Sequence, residues 1–201
     1  MAPPISNPYV VLDIQRLAYE DYVVLEDFTL TLERGQRVAI CGKNGSGKST
    51  LIKAILKHYD RSYDFESLKI EGSIRCVSGL IVSYVSQDTA FLMGTFENFA
   101  KMQGVEMHLL RSMLDKLDFE PILFDQDLSC LSEGQKKKVL LAASICQRAH
   151  LYIWDEPLNY IDLLSRLQIE EMILKYEPTV LFIEHDPHFV DRIASHMIEL
   201  S

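Results

Sequence analysis

The sequence contains no long hydrophobic run. Its longest uncharged apolar stretch is residues 139–146, whereas a helix that crosses a bilayer needs about 20 such residues. The N-terminus, which reads Met-Ala-Pro-Pro, lacks a basic segment followed by an apolar one, so we expect no signal peptide. These absences favour a cytoplasmic protein without direct membrane insertion. Any role at a membrane would then depend on a partner protein.

Cysteines, histidines and basic residues are also limited. The four cysteines, Cys41, Cys76, Cys130 and Cys146, form no C-x-x-C pair, so we expect reduced and mostly packed thiols. The six histidines lack the spacing of metal ligands. Twenty basic residues against 29 acidic ones give a net charge of −9. This charge disfavours non-specific nucleic-acid binding by the whole domain, although a local basic cluster could still bind.

What remains is an ordinary globular composition, 48% hydrophobic in 201 residues, the size of one domain. Short apolar runs bounded by turns predict strands over residues 9–19, 28–32, 37–41, 81–85, 151–154 and 180–183. A helix is predicted over residues 48–57 and a mostly helical stretch over residues 95–149, whereas residues 57–78 are weakly patterned. Strands that alternate with helices predict an α/β fold with a mainly parallel sheet, and the N-terminal strands predict a small antiparallel sheet beside it.

A glycine-rich segment follows the predicted strand 37–41. It matches G-x-x-x-x-G-K-[ST] and leads into the predicted helix, the context that a phosphate-binding loop requires. Its backbone N–H groups and the helix N-terminus would bind phosphate, while Lys48 would reach the β- and γ-phosphates and Ser49 would contact Mg²⁺. The candidate nucleotide-binding residues are Gly42, Lys43, Asn44, Gly45, Ser46, Gly47, Lys48, Ser49 and Thr50.

Two adjacent acids end the predicted strand 151–154. Ligands bind α/β sheets at the C-terminal ends of the strands, so Asp155 is a candidate for the Mg²⁺ shell. Glu156 would point to the other side of the strand, and it is a candidate for orienting or deprotonating an attacking water. An acidic strand end exposed to solvent is the alternative, and the phosphate-binding loop upstream makes that alternative weaker.

Residues 131–135, Leu-Ser-Glu-Gly-Gln, resemble the LSGGQ signature of ABC-type ATPases. Ser132 and Gln135 also have the spacing of a capping box at the start of a helix. The glycine-rich loop, this signature-like motif and the acidic strand end follow in the order found in that family, so the chain is similar to it over nearly its whole length. The resemblance implies a P-loop ATPase fold with a helical subdomain inserted at about residues 95–149. It further implies that ATP and Mg²⁺ are the cofactors, and that Ser132, Gly134 and Gln135 contact ATP bound to a second ABC domain, the expected partner.

Other landmarks of the family follow in order. Gln87 resembles the residue that contacts Mg²⁺ and connects the core to the helical subdomain. Asp162 lies in a segment similar to the one that crosses the interface between two domains. His185 resembles the residue that contacts the γ-phosphate, so the resemblance makes Glu156, His185 and Lys48 the catalytic candidates. An aromatic residue is expected to stack on adenine; Tyr19 is the first candidate and Tyr22 the alternative.

Three consecutive lysines, Lys136, Lys137 and Lys138, follow the signature-like motif. A charge run near the start of a helix usually forms a solvated face, and this is our expectation here. Contact with RNA or with a facing domain is the alternative.

The subclass is indicated by residues 155–162, Asp-Glu-Pro-Leu-Asn-Tyr-Ile-Asp, which resemble the D-E-P-x-N-x-x-D run of the ABC-F class. Residues 152–162 together with residues 131–138 resemble the C-terminal ATPase domain of the Lsa- and Vga-like ABC-F proteins, which protect ribosomes from antibiotics. That resemblance implies a parent protein with two ATPase domains, of which this chain would be one, and the ribosome as its partner. The alternatives are the ATPase subunit of a membrane transporter, whose partner is a transporter membrane domain, and a module that senses nucleotide without turnover.

Overall fold

Two β-sheets form the framework of the chain. A computed structural model describes residues 2–20, 22–63, 65 and 67–200. The antiparallel sheet has the order β2-β1-β4 and contains β1 (Val10–Tyr19), β2 (Tyr22–Leu32) and β4 (Leu68–Cys76). The parallel sheet has the order β5-β6-β7-β3-β8 and contains β3 (Arg37–Gly42), β5 (Val82–Val85), β6 (Leu151–Asp155), β7 (Thr179–Ile183) and β8 (His196–Leu200). The predicted α/β class, with a parallel core and a small antiparallel sheet, is confirmed.

Six α-helices connect and cover the strands within the described ranges. Helix α1 (Lys48–Tyr59) follows β3, while α5 (Leu163–Tyr176) and α6 (Pro187–Ile193) follow β6 and β7. Between β5 and β6 lie α2 (Phe96–Met102), α3 (Met107–Lys116) and α4 (Glu133–Cys146), as the helical stretch over residues 95–149 predicted. Of the helices that the structure describes, none is long and apolar enough to cross a membrane.

The central strand β7 explains how one sheet serves two cores. All five of its residues are buried, as expected for a parallel strand that is covered on both faces. Val180 and Phe182 pack into the core that contains α2 to α6. Leu181 and Ile183 pack into the core that contains α1 and the antiparallel sheet. The period-two alternation of a strand thus supplies both cores from one short sequence.

Several elements differ from the sequence prediction. Strand β2 begins six residues before the predicted strand 28–32, at Tyr22. Strand β4 lies within the weakly patterned residues 57–78, and strand β8 was not predicted. Both strands bury few side chains: only Leu68 and Ile74 are buried in β4 and only Leu200 in β8. Their hydrophobic alternation is therefore faint, and pairing with β1 and β3 defines them instead.

The parallel sheet brings three separate segments to one edge. Ile40 of β3 and Asp155 of β6 are both paired in register with Ile183 of β7. The segments that follow these strands therefore leave the sheet side by side. They are the glycine-rich loop, the residues from Glu156 onward and the residues from Glu184 onward, and this C-terminal edge is where α/β sheets place ligands.

Candidate nucleotide-binding and catalytic site

The glycine-rich loop depends on two glycines for its shape. Gly42 has φ 140°, and a Cβ there would lie 2.3 Å from the carbonyl oxygen of Leu200. Gly47 has φ 92°, and a Cβ there would lie 2.6 Å from Val24. No larger residue fits either position without displacing its neighbour. The loop is thereby held between β8 and β2, with its N–H groups available to phosphate.

Lys48 begins α1 and is 6% exposed. Its ammonium donates to the carbonyl oxygens of Gly42 and Lys43, both at 2.9 Å. The cation therefore lies inside the loop, where phosphates would approach. The Oγ of Ser46 is also buried there and makes no hydrogen bond to the described residues. A buried hydroxyl of this kind needs a partner, and a phosphate oxygen suits it.

The other predicted loop residues surround these two. Lys43, Asn44 and Gly45 are exposed at the tip of the loop, and Thr50 is half-buried in the first turn of α1. Gly47 is the N-cap residue of this helix. Free N–H groups and the positive end of the helix dipole together form an anion-binding site.

Ser49 and Asp155 meet between α1 and β6. The hydroxyl of Ser49 donates to Oδ1 of Asp155 at 3.2 Å, and Asp155 is 3% exposed. The pKa of the Asp155 carboxyl is raised, chiefly because the side chain is buried. The charge of Glu156 also raises this pKa, whereas the Ser49 hydrogen bond lowers it. A hydroxyl beside a carboxylate at the phosphate loop is the oxygen donor set that Mg²⁺ prefers. The residues present therefore fit Mg²⁺ together with ATP.

Glu156 is at the centre of a set of side-chain contacts. Its carboxylate accepts a 2.8 Å hydrogen bond from Nε2 of Gln87 and another from Nδ2 of Asn159. Nε2 of His185 lies 3.4 Å from its other oxygen. The side chain is 16% exposed, so a water can reach it. Gln87, Glu156 and His185, predicted separately, thus form one group, and sequence reasoning missed the contact from Asn159.

The orientation of Glu156 has a different cause from the one predicted. The expected cause was the alternation of side chains along a strand, but β6 ends at Asp155. Glu156 has φ 48°, in the left-handed region, and its N–H donates to the carbonyl oxygen of Ile183 at 3.0 Å. A turn with this uncommon backbone conformation directs the side chain.

The signature-like residues form the predicted capping box at the start of α4. The Ser132 N–H donates to Oε1 of Gln135 at 2.9 Å, and the Gln135 N–H donates to Oγ of Ser132 at 3.3 Å. A Cβ on Gly134 would lie 2.5 Å from the carbonyl oxygen of Tyr160. Within the described residues, the side chains of Ser132 and Gln135 make no hydrogen bond to the glycine-rich loop.

The expectation of a solvated lysine face was wrong. Lys137 is 2% exposed, and its ammonium donates to the carbonyl oxygens of Ser86 at 2.9 Å and Gln87 at 3.3 Å. Lys138 lies 2.7 Å from Oδ2 of Asp162. The side chain of Lys136 is 12% exposed and pairs with Glu133 at 3.3 Å. Lys137 contacts the residues that follow β5, and Lys138 contacts the residue at the start of α5. These two side chains therefore lie against the protein and not in solvent.

Burial and nearby charges shift the pKa of Lys137 in opposite directions. Removal from water lowers the pKa of its ammonium, and the nearby charges of Asp155, Glu156 and Glu184 raise it. The ammonium is thus a positive charge within the acidic end of the site.

Two further residues were missed by sequence reasoning. The guanidinium of Arg166 donates to the carbonyl oxygens of Ile161 at 2.9 Å and Leu158 at 3.2 Å, and to Asp186 at 3.0 Å. Glu184 is 7% exposed and accepts from the Leu158 N–H at 3.1 Å. These two side chains fasten the segment after Glu156 to the segment that contains His185. An acid directly after the buried strand β7 was the available signal.

The two adenine-stacking candidates are paired across β1 and β2. Tyr19 is half-buried and packs against the core of the antiparallel sheet, whereas Tyr22 is 70% exposed. Val24, also on β2, contacts the glycine-rich loop, so the end of this hairpin lies beside the site. Both tyrosines remain candidates.

The comparisons with known proteins bear on this geometry. Residues 25–159 match the family described as ABC transporter. The chain belongs to the ABC transporter family. Over 197 residues it is 32% identical to the ATP-binding protein Uup of Haemophilus influenzae, covering 92% of this chain and 29% of Uup. It is 27% identical to ABC transporter F family member 5 of Arabidopsis thaliana, covering 90% of this chain and 26% of that protein.

A solved structure described as the ATP binding subunit of an ABC transporter has the same fold. Its TM-score is 0.77 at 22% identity, covering 96% of this chain and 86% of that chain. Domains of this family hydrolyse ATP with Mg²⁺, so the chain carries an ATP-hydrolase domain. It spans less than a third of the length of both named relatives.

The structure also shows the state of the cysteines and the grouping of side chains that could ligate a metal. All four cysteines are free, and three of them are half-buried while Cys130 is exposed. Across the described residues, no group of three His, Cys, Asp or Glu side chains could hold a metal ion. The Ser49 and Asp155 pair is a different kind of site, in which substrate phosphates would complete the coordination of Mg²⁺.

Proposed function

We propose that this chain binds Mg-ATP at residues 42–50 and hydrolyses it with Glu156 as the residue that orients and deprotonates the attacking water. The convergence of Gln87, Asn159 and His185 on the Glu156 carboxylate carries this proposal. These contacts hold the carboxylate in one orientation, as general-base catalysis requires. Loss of ATP hydrolysis with retained ATP binding in Glu156→Gln is the test.

The other residues have distinct roles in this proposal. Lys48 neutralises the β- and γ-phosphates, and the N–H groups of the loop bind their oxygens. Ser49, Asp155 and Gln87 would hold Mg²⁺, which when bound would neutralise phosphate charge. His185, whose Nε2 lies 3.4 Å from the Glu156 carboxylate, would contact the γ-phosphate.

A second ABC domain completes the site. The exposed Ser132, with Gly134 and Gln135, is proposed to contact the γ-phosphate of ATP held by that domain. The neighbouring surface supports this, because Tyr160 is 76% and Leu163 is 73% exposed beside the start of α4. Exposed apolar side chains of this size commonly mark protein interfaces. The partner domain belongs to the same parent protein or to a second copy of the chain.

The parent protein is proposed to be a cytoplasmic ABC-F protein that acts on the ribosome. The Asn159 contact with Glu156 supports this assignment, because it gives a structural role to the residue that marks the class. The relative from Arabidopsis thaliana supports it through its printed name, ABC transporter F family member 5. The chain would then be one of two ATPase domains, with residues 95–149 as its helical subdomain.

Ribosome binding can be tested by co-sedimentation. The full-length Glu156→Gln protein should sediment with ribosomes in Mg-ATP and remain in the supernatant without nucleotide. The Lys48→Ala,Glu156→Gln double variant is the matched control, because it should not bind ATP. Absence of the Glu156→Gln protein from the ribosomal pellet at saturating ATP would contradict the assignment.

Antibiotic resistance is the finer part of the proposal. It is supported by the likeness of residues 131–138 and 152–162 to Lsa- and Vga-like proteins. Expression of the full-length protein in a susceptible bacterium should raise the inhibitory concentration of antibiotics that act at the peptidyl-transferase region. Expression of the Glu156→Gln protein at the same level should not raise it.

A membrane-transporter ATPase is the second candidate. Phe91 and Met93, which follow Gln87 closely, are 51% and 68% exposed. Such a patch fits a membrane-domain helix as well as it fits another soluble partner. Stable co-purification of the native protein with an integral membrane protein would favour this candidate and contradict the ribosomal one.

A further inference from the structure

Lys137 is a buried cation with unusual partners. It is 2% exposed, and its ammonium donates to two backbone carbonyl oxygens, those of Ser86 and Gln87. No ion pair found among the described residues includes it. A buried ammonium is unfavourable unless it is well bonded. The two hydrogen bonds to backbone carbonyl oxygens therefore fix where the Lys137 ammonium lies. It bonds the two peptide groups on either side of Gln87.

The first turn of α4 is attached to the same segment at a second point. The Thr89 hydroxyl donates to the Glu133 carboxylate, and Lys136 also bonds this carboxylate. The start of α4 and residues 86–89 are therefore joined at two points, by the Thr89–Glu133 hydrogen bond and by the hydrogen bonds of the Lys137 ammonium. Movement of one would displace the other, because hydrogen bonds join the two segments at both points.

The chain of contacts continues from this segment to the reacting group. Gln87 donates through its side chain to Glu156 at 2.8 Å, while Lys137 fixes its backbone carbonyl. Lys137 and Gln87 thus connect α4 with the carboxylate of Glu156. Two successive hydrogen bonds, from Lys137 to the Gln87 carbonyl and from the Gln87 side chain to Glu156, connect α4 with Glu156.

We propose that Lys137 is a positioning residue that sets the orientation of Glu156 through Gln87 and so makes hydrolysis depend on the placement of helix α4. The start of α4 is the part proposed above to contact the second domain. ATP hydrolysis at the Glu156 of one domain therefore depends on whether α4 of that same domain contacts the second domain. This inference rests on the proposed roles of Glu156 and Gln87.

The test is Lys137→Met, which keeps the length and apolar stem of the side chain and removes its donors. We expect kcat for ATP hydrolysis to fall roughly tenfold or more, as for residues that orient a direct ligand. The KM for ATP should stay within about twofold, because the phosphate loop is untouched. Lys101→Met, at an exposed position on α2, is the matched control and should leave both constants unchanged.

A double-mutant cycle with Gln87→Ala separates positioning from a general structural role. If Lys137 acts through Gln87, Lys137→Met should cause little further loss of kcat in the Gln87→Ala protein. Full additivity of the two losses would overturn the inference, and so would an unchanged kcat in Lys137→Met. Lys137→Leu, which also lacks donors, replaces the Met variant in the cycle if circular dichroism shows that the latter does not fold.

The failure of the inference and the failure of the proposed function are distinguishable. An unchanged kcat in Lys137→Met together with lost hydrolysis in Glu156→Gln would overturn only the role of Lys137. Unchanged hydrolysis in Glu156→Gln would overturn the assignment of the water-activating residue itself.

Discussion

The Oγ of Ser49 lies 3.2 Å from Oδ1 of Asp155, although the two residues are 106 positions apart in the sequence. The first belongs to the start of α1 and the second to the end of β6, and the parallel sheet brings both to the same edge. This contact joins the phosphate-binding loop to the acidic strand end. It places the expected Mg²⁺ donors within one small volume beside Lys48.

Lys48→Ala should weaken binding of Mg-ATP. The substitution removes a buried ammonium in the phosphate loop, and a charge-assisted hydrogen bond contributes about 1.5–3 kcal/mol, which corresponds to about a ten- to hundredfold change in affinity. Isothermal titration calorimetry measures the loss. Lys101→Ala, at an exposed position, should bind like the unmodified chain, and equal affinities for both variants would contradict the role of Lys48.

Glu156→Gln should preserve ATP binding and suppress hydrolysis. The amide keeps the size of the side chain but cannot accept the proton of the attacking water, and general-base catalysis contributes about 10²–10⁴-fold. Phosphate release under saturating Mg-ATP measures the rate, with calorimetry as the control for binding. Hydrolysis at the unmodified rate would show that another group activates the water.

Ser132→Arg should prevent the pairing of two domains around ATP while sparing binding of nucleotide to the domain itself. Ser132 is exposed at the start of α4, and a bulky cation there would block the approach of the partner. Light scattering of Glu156→Gln protein, with and without Ser132→Arg, measures ATP-dependent pairing. If Ser132→Arg weakens nucleotide binding as much as Lys48→Ala does, the assignment of Ser132 to the opposite site is wrong.

Tyr19→Ala should weaken binding of ATP but not of inorganic triphosphate. Stacking of an aromatic side chain on a base contributes about 1–3 kcal/mol, and triphosphate has no base. Tyr22→Ala is the matched comparison, because the two tyrosines face each other across β1 and β2. A larger and base-specific loss in Tyr22→Ala would transfer the stacking role to Tyr22.

Asp162→Asn should destabilise the fold at neutral pH and lose this effect in acid. Burial would raise the pKa of Asp162, but Lys138 and Ser165 bond its carboxylate and hold the pKa well below its usual range. A depressed folded-state pKa adds stability above the unfolded value, about 3.9, and this stability is lost as the pH falls below it.

The effect of Asp162→Asn should be about 1 kcal/mol, because the Asp162 side chain is 48% exposed and solvent screens the pair. Urea unfolding of both proteins at several pH values measures it. The difference in unfolding free energy should be constant from about pH 8 to pH 5 and should shrink below about pH 4. A difference that is independent of pH would show that the ion pair does not contribute.

Much of the site could be predicted because its motifs are local. The glycine-rich loop, the capping box of Ser132 and Gln135, and the acids after β6 each depend on a few consecutive residues. The order of these motifs along the chain resembled the ABC family, and that family is confirmed. Strands that bury few side chains, such as β4, lacked a readable pattern.

The environment of each side chain required the tertiary structure. Three adjacent lysines are a solvated face in most helices, but here Lys137 is buried because α4 packs against the segment after β5. The backbone of Glu156 is left-handed because its N–H bonds Ile183 on a strand that is distant in sequence. Asn159 looked like a mark of subclass and proved to contact the catalytic candidate.

The sequence by itself determined the chemistry that the chain can carry, since phosphate binding, Mg²⁺ binding and helix capping depend on residue types at short, fixed spacings. The tertiary structure decided which of these residues act together. Gln87, Glu156 and His185 meet only because parallel strands release their following segments at one edge of the sheet. The burial of Lys137 was likewise decided by the packing of α4, a long-range relationship that no local pattern encodes.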